Sequence, residues 1–176
     1  EKGFNVIVDT KGVDSATALM LDKSVDAVNA MYQSQANVAC VDGFAGQFGC
    51  NNTSLLAHIP VSNFPTNSSG ANDIWGHVDL NTMKEYASVG LRRGVALVDV
   101  SDPVNPVIIN AIQGQSTTWR DINVLQYFNT DANKWEAYAY ATADNASEGL
   151  TIMNLSNPDD GLVLAKRDIT DAQAHN

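Results

Sequence analysis

The feature that most constrains this chain is a phrase it uses twice. RRGVALVDVSDPVNPVII, residues 92–109, is an apolar run, a short polar turn and a second apolar run, and SEGLTIMNLSNPDDGLVL, residues 147–164, has the same grammar. In register, GVALVDVSDP lies over GLTIMNLSNP, and Asp73-Ile74 lies over Asp121-Ile122. The two offsets differ because the hairpin loop NTDANK of the second set is longer than LNTM of the first. The first set reads DIWGHVDL, KEYASVGL, GVALVDVS and PVIINAIQ, and the second reads RDINVLQYF, KWEAYAYATA, GLTIMNLS and GLVLAKRDI. Tyr86, Ser88 and Gly90 alternate with Ala87, Val89 and Leu91, and Ala137, Ala139 and Ala141 alternate with Tyr138, Tyr140 and Thr142. That period of two is what strands require, because successive side chains point to opposite faces. Four short strands per unit, repeating at roughly 50 residues, predict blades of a β-propeller.

The turns have local explanations. In SDPVNP, Ser101 and Asp102 can accept from backbone amides just ahead, while Pro103 and Pro106 fix φ where no ladder donor is needed. SNPDDG uses Asn157, Pro158 and Gly161 in the same way. Asp99 is matched by Asn154 and Asp102 by Asn157, so these positions call for a short polar turn-former rather than a charge. Asp159 and Asp160 lie in such a turn and read as solvated.

The region before the repeats differs in texture. A β-like run at 4–8 is followed by residues 15–35, where Leu21, Val25, Val28 and Tyr32 recur as one face of an amphipathic helix, expected to pack into the core. SLLAHIPVSNF reads as a short strand, and FPTNSSGAND as a boundary. The expected architecture is therefore all-β, about two four-stranded propeller blades belonging to a larger propeller, preceded by a short N-terminal α-helical segment. Its divisions are 1–39 for strand and helix, 40–70 for a cysteine loop and linker, and 71–176 for the blades and the start of a third.

Composition narrows the function classes. The 176 residues carry a formal net charge of −10, so the summed field repels polyanions, and neither nucleic acid nor an anionic membrane surface is an expected partner. No apolar run approaches the ~20 residues of a membrane-crossing helix. Cys40 and Cys50 bracket VDGFAGQFG, a spacing too wide for a CxxC redox pair, and no further Cys or suitably spaced His completes a zinc site. A local disulfide is the favoured reading, with two reduced structural thiols as the alternative, and a disulfide places the chain in an oxidising compartment: extracellular, cell-surface or periplasmic. Sequons at Asn51, Asn52, Asn67, Asn145 and Asn154 matter only if the producing cell glycosylates them.

Several ordered motifs, ACVDGFAGQFGCNNTSLLAHIPVSNF, NDIWGHVDLNTMKEYASVGLRRGVALVDVSDPVNPV, TTWRDINVLQYF and the terminal AHN, resemble the choice-of-anchor B family of bacterial surface proteins, whose repeats are of the LVIVD type. The resemblance runs from about Cys40 to Asn176. It implies an exported β-propeller held at the cell surface by anchors that vary among members, with no established enzymatic activity. It also implies further blades, since by the family's pattern AHN begins the innermost strand of a third unit. A propeller closes with about 4 to 8 blades. The expectation is thus an N-terminal portion of a longer polypeptide, or a chain that assembles with others to complete the ring.

Residues that can carry chemistry are few. His58, His77 and His175 show no HxH or HExxH spacing, and there is neither a GxSxG elbow nor a Walker loop. Asp73, Trp119-Arg120-Asp121 and His175-Asn176 begin successive innermost strands, positions that converge in a propeller. There Arg120 is expected to pair with Asp121 or Asp73, as a polar belt between blades or as a channel-mouth ligand site in which oxygen ligands would suit Ca²⁺. TADNASEG offers a second, weaker cation loop in Asp144, Asn145 and Glu148, without the glycine and spacing of an EF-hand. Trp75, Trp119 and Trp135 are expected to pack between blades.

The function expected is that of a non-enzymatic surface or secreted scaffold for binding, adhesion or extracellular assembly, its partners being the rest of the propeller and a surface protein or glycan. Two alternatives stand beside it. One is a structural protomer of an extracellular filament or sheath, joined by strand edges. The other is a hydrolase or lyase with its site at the channel mouth, using His175, Arg120 and Asp121.

Overall fold

A computed structural model describes residues 11–12 and 14–168. The run at 4–8 and the candidates His175 and Asn176 lie outside the described residues. The chain forms two compact units, Glu1–Pro60 and Val61–Asn176. The described residues are mostly β, with four antiparallel sheets and few helical segments.

In the first unit, α1 spans Ser15–Ala30. Asp14 caps it: its Oδ1 accepts from the backbone N–H groups of Ala16 and Thr17, each at 3.0 Å, satisfying donors that the first turn leaves unpaired. The Thr17 hydroxyl donates to Oδ2 at 2.6 Å, and these Thr17 bonds hold the Asp14 carboxyl below its usual range. The helix stops short of the expected 35 because Gln35 is already in β1 (Gln35–Val38), which pairs with β4 (Leu55–His58). The apolar stripe is not a core as expected: Val28 and Tyr32 are exposed and Leu21 and Val25 only half-buried. The described part of this unit otherwise holds only two-stranded sheets, which present little apolar area for a helix to bury.

Between β1 and β4 lie β2 (Phe44–Ala45) and β3 (Phe48–Gly49), a tight hairpin closed by a disulfide between Cys40 and Cys50. Gly43 and Gly46 have φ of 83° and 63°, the left-handed region that favours glycine, and this is how so short a loop turns back.

The second unit is built from two four-stranded meanders. Sheet one runs β5 (Ala71–Val78), β6 (Glu85–Leu91), β7 (Gly94–Asp99), β8 (Val107–Gln113), each strand paired antiparallel with the next. Sheet two repeats this with β9 (Ile122–Asn129), β10 (Lys134–Ala141), β11 (Leu150–Asn154) and β12 (Val163–Asp168).

The repeat holds at the level of single hydrogen bonds. Asp99 accepts from Ser101 N–H at 2.9 Å and Asn154 from Ser156 N–H at 2.7 Å, so a side-chain amide and a carboxylate serve the same turn. Ser101 Oγ accepts from Glu85 N–H, and Ser156 Oγ from Ala137 N–H. At the first hairpin of each sheet, Asp79 accepts from Asn81 N–H and Asn129 from Asp131 N–H.

Alternation decides which face is buried. Tyr86, Val95 and Leu97 of sheet one meet Ile122, Ala137, Ala139, Ala141 and Met153 of sheet two in one core, completed by Leu155 and Leu162. Small alanines on β10 let the sheets approach, and the larger Tyr86, Leu97 and Met153 fill the gaps, as close packing demands. The tryptophans do not serve this core as expected. Trp75 and Trp119 are exposed, because one sits on edge strand β5 and the other in the turn entering β9; Trp135, half-buried, makes an edge-on contact with Phe128.

Candidate functional site

The chemistry-bearing residues of the second unit gather along the seam between the two sheets, at its two ends. At one end, β9 begins beside the ends of β6 and β8. Arg120 is 1% exposed and Glu148 3% exposed, and the two form a buried ion pair through Nη1 and Oε1. Arg120 Nε donates to Leu91 O at 3.1 Å and Nη2 to Gln115 O at 2.8 Å. The second carboxylate oxygen of Glu148 accepts from Gln115 N–H at 3.0 Å. One guanidinium thus links β6, the segment after β8 and the turn before β11, and each of its bonds satisfies a group that burial would otherwise leave costly.

Two glycines make room for it. A Cβ on Gly90 would lie 2.6 Å from Arg120 O, and one on Gly114 would lie 2.8 Å from Arg120 Nη2, so backbone must pass where no side chain fits. Beside this node the Thr117 hydroxyl donates to Asp144 O at 2.7 Å, Asp144 N–H donates to Trp119 O at 3.0 Å, and Thr142 N–H to Asp121 O at 3.1 Å.

This differs from the expected arrangement. Arg120 bonds neither Asp73 nor Asp121; its carboxylate is Glu148, distant in sequence and grouped by spacing with a cation loop instead. Asp73 accepts from Ile122 N–H at 2.7 Å through Oδ2, tying the first strand of one sheet to that of the next. Glu148 therefore faces inward to Arg120 and not to the loop it shares with Asp144 and Asn145, where Asn145 is exposed in a left-handed turn, φ 54°. Among the described residues, no group of three or more His, Cys, Asp or Glu is placed to hold a metal ion.

The opposite end of the seam is made of amides, which sequence reading missed. Gln126 donates to Val78 O and accepts from Leu80 N–H, at 2.9 and 3.1 Å. Asn81 donates to Trp135 O and accepts from Trp135 N–H, both at 2.9 Å. Asn110 donates to Leu162 O and accepts from Leu162 N–H, at 2.9 and 2.8 Å. Each primary amide imitates a backbone peptide, carrying strand-like pairing from one sheet to the other. For Gln126 and Asn110 the sequence signal was polarity at strand positions otherwise bound for a core, and Asn81 lies in the turn between β5 and β6.

Beside them Asp159 accepts from Lys84 Nζ at 2.7 Å and from the Tyr86 hydroxyl at 2.8 Å. These bonds, Lys84 foremost, hold the Asp159 carboxyl below its usual range, while burial and the same contact push the Tyr86 hydroxyl up. A cavity of about 410 Å³ opens here, its walls including Asp79, Asn81, Tyr86, Lys134, Ser156 and Asp160. His77 stacks on Tyr86 with ring centroids 5.6 Å apart and 24° between planes.

Fold and seam together describe a mostly β protein with a repeated four-stranded antiparallel meander. No family model, no curated protein and no solved structure matches the chain.

Proposed function

We propose that this protein is a non-enzymatic, extracellular scaffold for binding or assembly, and that its two meanders are neighbouring blades of a β-propeller. One observation carries the reading. By the internal repeat, Tyr138, Tyr140 and Ile152 occupy the places of Tyr86, Ser88 and Leu97. The sheet-one side of that equivalence is covered by sheet two. The sheet-two side is turned away from this core, with Leu125 56% and Tyr127 41% exposed and Tyr127 stacked on Tyr138. A surface with the chemistry of a covered one fits a further unit of the same kind, whose alanine-lined face would meet it as β10 meets sheet one.

The seam supports a scaffold in a second way. Arg120, Glu148, Asp73, Asn81, Asn110 and Gln126 are all engaged in joining the sheets, the work expected of polar groups that rigidify a platform. The Cys40–Cys50 disulfide accords with an oxidising compartment, and no described helix is long and apolar enough to cross a membrane.

Hydroxyl-radical footprinting of the native protein tests the proposal. Protection of Leu125, Tyr127 and Tyr138 to the level of core Tyr86 is the expected result. Labelling of those three at the rate of an unfolded peptide, in native material, refutes it.

A further inference from the structure

We propose that His77 makes the seam between the two sheets sensitive to acid, its neutral ring packing between them near neutral pH and its protonated ring loosening that end of the seam. The geometry begins with register. His77 lies opposite Tyr86 across β5 and β6, so both rings point toward sheet two, where Tyr86 joins the shared core. Both nitrogens of His77 are shielded from solvent and have no hydrogen-bond partner among the described residues. The imidazole is thus used as an apolar plate.

The internal repeat points the same way. The position equivalent to His77 in sheet two is Leu125, opposite Tyr138 as His77 is opposite Tyr86. The repeat position is thus aliphatic on the exposed face of sheet two and titratable on the covered face of sheet one.

The surroundings determine what a proton would meet. On its own strand's turn stands Asp79; on β7, Asp99 is paired with Tyr86; from the turn after β11, Asp159 reaches the Tyr86 hydroxyl and is neutralised by Lys84. On the facing sides of β9 and β10, Ile122, Val124, Gln126, Phe128, Trp135, Ala137, Ala139 and Ala141 carry no titratable group. Burial pushes the imidazole down, and this outweighs the pull of Asp79. A charged ring must leave the Tyr86 stack to find water or a carboxylate. The adjacent bonds of Gln126 to Val78 and Leu80 would move with it.

The sign follows from linkage. A histidine that titrates lower when folded than when unfolded contributes fully above the ordinary histidine range near 6.5, and the contribution is lost as pH falls through that range toward the depressed folded value. Each unit of depression corresponds to as much as about a tenfold fall in the folded-to-unfolded ratio.

The experiment pairs an imidazole proton NMR titration of the wild-type protein with urea unfolding at pH 7.5 and 5.5 of wild type and His77→Leu. Expected are a His77 resonance titrating below the ordinary range and a folded-to-unfolded ratio that drops several-fold more on acidification in wild type than in the variant. His77 titrating at or above the ordinary range overturns the proposal, as do equal acid losses in the two proteins. If the variant does not fold, the wild-type titration decides alone.

Discussion

Replacing Glu148 with alanine removes the one carboxylate paired with Arg120 among the described residues, and Arg120 itself is 1% exposed. The side chains of the pair are each 2% exposed, so solvent does not take over when the partner goes. Removing one member of a buried ion pair costs about 3–5 kcal/mol, because an uncompensated charge stays inside. The Gln115 N–H also loses its acceptor. Against a total stability of roughly 5–15 kcal/mol, that is a large part of the whole.

Urea unfolding followed by tryptophan fluorescence and far-UV circular dichroism reads the loss as a lower midpoint. The companion variant Arg120→Met/Glu148→Leu buries no charge and should recover a good part of the stability, as hydrophobic replacements of buried ion pairs do. Recovery stays incomplete because the Leu91 and Gln115 carbonyls lose their donor. A Glu148→Ala loss below about 1 kcal/mol, the scale of an exposed pair, would refute the assignment of this node as the lock between the sheets.

Two further outcomes follow from the packing. Met153→Ala, at a side chain with no exposure in the shared core, should cost about 2–5 kcal/mol in the same urea assay, and a neutral result would mean that the sheets do not share that core. Reducing the Cys40–Cys50 bond opens a loop of sequence separation 10, worth roughly 2–3 kcal/mol by chain entropy. Amide hydrogen exchange should then quicken at residues 40–50 and stay unchanged through β5–β12.

What the sequence determined by itself was the periodic part. Alternation in Tyr86–Leu91 and Ala137–Thr142 is a property of neighbouring residues, so it was legible without tertiary information, as was the equivalence of GVALVDVSDP and GLTIMNLSNP. Turn chemistry was legible for the same reason: Asp99 and Asn154 act on amides two residues away. The disulfide was readable because a short glycine-bearing loop brings its own ends together.

Partnership across long separations was set by the folded chain. Spacing placed Arg120 with Asp73 or Asp121, its neighbours in sequence or repeat position, and gave Glu148 to a loop. Folding brings Arg120 and Glu148 together because the turn before β11 doubles back over the start of β9. Asn81, Asn110 and Gln126 were invisible as joints, since an amide matching a peptide group acquires that role only when another strand's backbone stands opposite it. The helix stripe and the tryptophans mark the converse: an apolar residue is buried only if the fold supplies a surface to cover it, and local periodicity carries no record of that surface.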